Sequence, residues 1–127
     1  MNKNVINQEI DAAYHALENV GIANDKKIDK TFRGQIATFG AAVSMGNLLA
    51  AIAFFSEKGS ASVERQKLLA AIHEIVSKYG SIKDKGKDLY DYVRKAMDDG
   101  EEETCKEDII NAAIALKLAM NLYHLTE

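Results

Sequence analysis

Three side-chain types in this chain could do chemistry: imidazole, thiol and clustered carboxylate. The histidines are His15, His73 and His124. His73 is followed by Glu74, but no second histidine stands four residues on, so the zinc-protease pattern is missing. The one cysteine, Cys105, is expected in the first turn of a helix, where the macrodipole lowers a thiol pKa. A nucleophile also needs a positioned base, and only Lys106 stands beside it. The acidic run 98–103 (Asp98, Asp99, Gly100, Glu101, Glu102, Glu103) lacks the alternating ligand spacing of a calcium loop and reads as a solvated loop. No phosphate-binding glycine loop or dinucleotide fingerprint occurs. The sequence assembles no nucleophile, base and oxyanion site, so no catalytic residue, metal or cofactor is expected and the chain is read as a binding protein.

The basic residues make a stronger pattern. Lys26, Lys27, Lys30 and Arg33 fall close together, and Lys58, Arg65, Lys67 and Lys78 follow. Residues 1–55 balance five basic against five acidic side chains. Residues 56–87 carry seven basic and four acidic, and residues 88–127 carry four basic and ten acidic. The middle attracts anions and the C-terminal third repels them. Scattered cations of this kind bind phosphate backbones with salt-sensitive affinity, and helix N-termini add to them. An ordinary solvated face has the same composition.

The elements that must position these groups are helices. The 127 residues include no proline and no tryptophan, and 47% are hydrophobic, which fits one domain spanning 1–127 with its own core. Apolar residues recur at three- and four-residue steps. Ile6, Ile10, Ala13, Tyr14 and Leu17 mark a first helix over residues 4–20, with Gly21 as its cap. Ile28, Phe32, Ile36, Phe39 and Val43 mark a second, beginning near Asp25 and ending at Gly46–Asn47, two residues that tolerate the left-handed conformation. A short third helix runs to Gly59. A fourth begins after the cap candidates Ser60 and Ser62, includes Val63, and ends at Gly80. Residues 81–87 form a basic loop before a short fifth helix. A last helix opens on Thr104 and Glu107, spaced as a capping box. No strand-like alternation is visible, so the expected fold is all-α, a compact bundle of five to six helices.

Residues 34–56 contain no charge, and a stretch of that length can span a bilayer. Gly34, Gly40, Ser44, Gly46 and Asn47 interrupt it, so it reads instead as two buried helices whose small residues allow close packing. With a single cysteine and no secretory or lipidation signal, a cytoplasmic protein without membrane contact is expected.

One segment resembles a known family. Phe32-Arg33 leads into Gln35-Ile36-Ala37-Thr38-Phe39-Gly40. Then come Met45-Gly46-Asn47-Leu48-Leu49 and Ala53-Phe54-Phe55, followed by Val63-Glu64-Arg65-Gln66-Lys67-Leu68-Leu69. The order resembles the small subunit of type III-B (Cmr) CRISPR effector complexes, and the Ala/Leu-rich stretch 109–118 is similar to that family's closing helix. Asn47 stands where family members commonly place glycine before the leucine of the turn. The resemblance covers about residues 10–122. It implies a non-catalytic subunit of an antiviral ribonucleoprotein, stacked in several copies beside the backbone subunit. It also implies contact with guide RNA and single-stranded target RNA through their backbones. Lys30, Arg33, Lys58, Arg65 and Lys67 are the expected phosphate contacts. The alternative is a helical adaptor that binds protein alone through exposed parts of the second and third helices.

Overall fold

Asn2 starts the first helix: its side chain accepts from the backbone N–H groups of Asn4 and Val5, satisfying two donors that lack a partner within the helix. The computed structural model describes residues 2–56 and 65–126. In chain order the elements are α1 (Lys3–Asn19), β1 (Ala23–Asn24), β2 (Lys27–Asp29), α2 (Thr31–Met45), α3 (Leu48–Phe55), α4 (Arg65–Tyr79), α5 (Leu89–Asp98), α6 (Glu102–Met120) and β3 (His124–Thr126). Lys58, Val63 and the cap candidates Ser60 and Ser62 lie outside the described residues.

α6 is the central element and packs on α1, α2, α4 and α5. Its alanines explain how: Ala112, Ala113, Ala115 and Ala119 are buried on more than one face and keep neighbouring helices close. Phe39 of α2 and Phe55 of α3 meet edge to face at 5.1 Å, both fully buried, and fix the return of α3 along α2. α1 and α6 run parallel. Asn2 donates through its backbone N–H to Oδ1 of Asn111 at 3.0 Å, and the Tyr123 hydroxyl donates to the Tyr14 carbonyl at 2.7 Å. The pairs are equally spaced along both segments.

The helical bundle stands as expected, with local departures. The segment read as the start of the second helix is a hairpin: β1 pairs antiparallel with β2, and β2 pairs parallel with β3. The turn residues Asp25 and Lys26 have φ of 52° and 64°, the left-handed pair that a tight hairpin demands. Gly46 and Asn47 do not take that conformation. Asn47 is extended and caps α3, accepting from the Ala50 N–H. Thr104 and Glu107 form no capping box, because α6 already begins at Glu102. The uncharged stretch is two helices, yet Ala37, Thr38, Ala41, Ala42, Ser44 and Met45 lie exposed on α2. No helix of the described residues is long and apolar enough to cross a membrane.

Candidate nucleic-acid interface

The N-terminus of α2 is held by its neighbours. Oδ1 of Asp29 accepts from the Thr31 N–H at 3.0 Å and from the Thr31 hydroxyl at 2.8 Å, which holds the Asp29 carboxyl below its ordinary range. The Lys30 N–H donates to the Thr126 carbonyl at 2.7 Å. Arg33 donates through Nε to Oδ1 of Asn121 at 2.8 Å, just past the end of α6. These bonds set the start of α2 beside the end of α6. Lys67 of α4 donates through Nζ to the Gly21 carbonyl at 3.4 Å, which puts the start of α4 at the end of α1. Lys30, Arg33, Arg65 and Lys67 therefore gather at one end of the bundle, where α1 and α6 finish and α2 and α4 begin. The acidic stretch 98–103 sits at the other end, where α6 starts. It is not one solvated loop, for half of it is helical: Asp98 closes α5, and Glu102 and Glu103 open α6.

The four described cations share an end but not a line. Lys30 and Arg33 line a shallow cleft with Thr31, Gly34 and Lys117. Arg65 stands elsewhere, its guanidinium carbon 4.9 Å from the Phe54 ring centroid and 5.9 Å from that of Phe55. Its Nε is buried without a hydrogen-bond partner, and Phe54 is half exposed beneath it. Lys26 is committed locally: it donates to the Tyr14 hydroxyl and pairs with Glu18 at 3.7 Å, interactions that raise its pKa.

Lys117 escaped the sequence reading as a site residue. Its only signal was a charge inside an otherwise apolar helix, and its position beside Lys30 and Arg33 depends on the packing of α2 on α6.

Two of the candidate reactive groups, His73 and Cys105, hold defined places in the fold. His73 bonds through Nε2 to the Lys85 carbonyl at 2.8 Å, and Glu74 accepts from the Asn19 amide at 3.0 Å. Cys105 is fully buried, and desolvation pushes its thiol up to about 12, the reverse of an activated nucleophile. Asp108 accepts from the Ser81 N–H at 2.8 Å and from the Tyr92 hydroxyl at 3.0 Å, tying α6 to α5 and the turn after α4. Glu9, 2% exposed, is raised to about 7 by burial and then by the charge of Asp108. Among the described residues no group of three or more His, Cys, Asp or Glu side chains could hold a metal ion.

Fold and site define a class: a small helical bundle polarised in charge, with a basic end and no assembled reactive cluster among the described residues. The family model for CRISPR-associated protein (Cas_Cmr5) matches residues 7–119, and the chain belongs to that family, the small subunit of the type III-B CRISPR complex. No curated protein and no solved structure matches the chain.

Proposed function

We propose that the chain is a non-catalytic subunit of the type III-B effector, stacking in several copies and contacting the RNA backbone. Family membership supports the complex. The observation that carries the RNA contact is the gathering of Lys30, Arg33, Arg65 and Lys67 at one end. Arg33 is tied to the neutral Asn121 amide, which holds its guanidinium in place without neutralising it. Lys58 completes the proposed set. Sequence reading in such a machine falls to base pairing, and a protein contacting only phosphate suits that division.

A tagged purification from the native host at low salt tests the reading. Recovery of a multi-subunit assembly with repeat-derived guide RNA, containing several copies of this chain by native mass spectrometry, is expected. Protein partners free of RNA would replace it with the adaptor reading.

A further inference from the structure

The RNA contacts leave unexplained the apolar floor of an open groove between α2 and α6. Two adjoining clefts, of about 210 and 510 Å³, share Ala37 and Lys117. Gly40, Ala41, Ile110 and Ile114 line the first. The ridge continues at the next four-residue step as Leu118, an exposed leucine on the most buried helix of the fold.

The glycines of α2 point to an occupant. Gly34 and Gly40 lie inside the helix, where each costs about 1 kcal/mol relative to alanine. Neither has a positive φ, and a Cβ on either would meet nothing within 4 Å. The fold gains nothing from them. What glycine offers on an exposed face is the close approach of another backbone. With Ala37, Ala41 and Ser44 they make a smooth track roughly 15 Å long, from ten residue steps of helix.

We propose that this groove seats an amphipathic helix of a different protein subunit, with a small-residue edge against α2 and an acidic side chain on Lys117. The charge follows from the lining: the cleft along the small-residue track carries Lys117 and, among its described residues, no carboxylate. A second copy of this chain fits poorly. Its acidic stretch 98–103 includes none of the exposed large apolar side chains, Met45, Phe54, Tyr90, Leu118 and Leu122. RNA fits this track poorly as well, because its lining is aliphatic and small and offers phosphate a single cation, Lys117. Helix-in-groove recognition uses this combination of apolar track and flanking charge. The proposal rests on membership of a multi-subunit complex and adds the face that meets a partner.

The test assembles the complex from its other subunits and the full-length chain carrying Ala41→Cys labelled with benzophenone maleimide. Cys105 is buried and stays unlabelled in the folded chain. After irradiation, mass spectrometry should place the cross-link on one helical, Asp- or Glu-bearing peptide of a different subunit. Lys117→Glu should lower that yield about tenfold or more. Gly34→Ala with Gly40→Ala should also lower it while leaving the isolated chain more stable, which separates docking from folding. Cross-links to a second copy, to RNA, or to nothing in a complex that has incorporated the labelled chain would overturn the groove alone. Failure of the unlabelled wild-type chain to incorporate would overturn the subunit reading along with it.

Discussion

Arg33, in the first turn of α2, donates through Nε to Oδ1 of Asn121, 88 positions later in the chain, at 2.8 Å. The bond ties the start of one helix to the end of another and holds a guanidinium at the basic end of the bundle. Asn121→Ala removes only the acceptor. It should cost about 0.5–1.5 kcal/mol, a fall of about 2–6 °C in melting temperature for a domain of this size. Binding of RNA by the complex should weaken far less than with Arg33→Ala. A thermal melt and a titration of the complex check the two halves.

The pH dependence of stability carries the signature of Glu9. Its folded pKa, about 7, stands above the unfolded value of 4.5, so the folded state holds the extra proton between those values. Stability from this group is present below about pH 4.5, falls as pH rises through 7, and levels off above. The total is at most about 3 kcal/mol. Glu9→Gln should be flatter over that window and the more stable protein at pH 8. Urea melts of both proteins at several pH values give the difference; identical profiles would contradict it.

Cys105 should report unfolding. A thiol fully buried and held as the neutral form reacts with a disulfide reagent only when the helix opens. Modification of the native protein should be slow and should accelerate in step with loss of helical signal in denaturant.

Two neighbours on α2 should respond in opposite directions. Phe39→Ala removes a fully buried ring packed on Phe55 and should cost about 3–5 kcal/mol. Gly40→Ala adds a methyl group to open space inside a helix and should stabilise by about 0.5–1 kcal/mol. Denaturant unfolding of the two variants settles the sign.

The helices were legible because each buries a face whose apolar residues recur at helical spacing. Ile36, Phe39 and Val43 sit in the core as that spacing requires. The hairpin was not legible. Strands of two and three residues are too short to show alternation. Ile28 fits a helical stripe as well as a strand, and β2 finds its second partner almost 100 residues later. Asp25 and Lys26 take the left-handed turn without a glycine to announce it. At the site, Lys30, Arg33, Arg65 and Lys67 were legible as charge, since charge is local. Their gathering at one end is a product of helix direction. The split between Arg65, stacked over Phe54, and Arg33, bound to Asn121, depends on contacts no spacing encodes. The small residues of α2 have the composition of internal packing, and the structure leaves Gly34 and Gly40 with no atom within 4 Å of where a Cβ would stand.

The most direct test of RNA contact is the salt dependence of target-RNA affinity for the complete effector, with wild-type chain and with Arg33→Glu, Arg65→Glu and Lys67→Glu combined. Each lost phosphate contact should reduce the slope of log affinity against log salt by about 0.7 on a single strand, roughly two units for three contacts. Weaker binding at low salt should accompany it, with assembly intact. An assembled variant complex with unchanged affinity and unchanged slope would contradict the assignment of this end of the bundle to RNA.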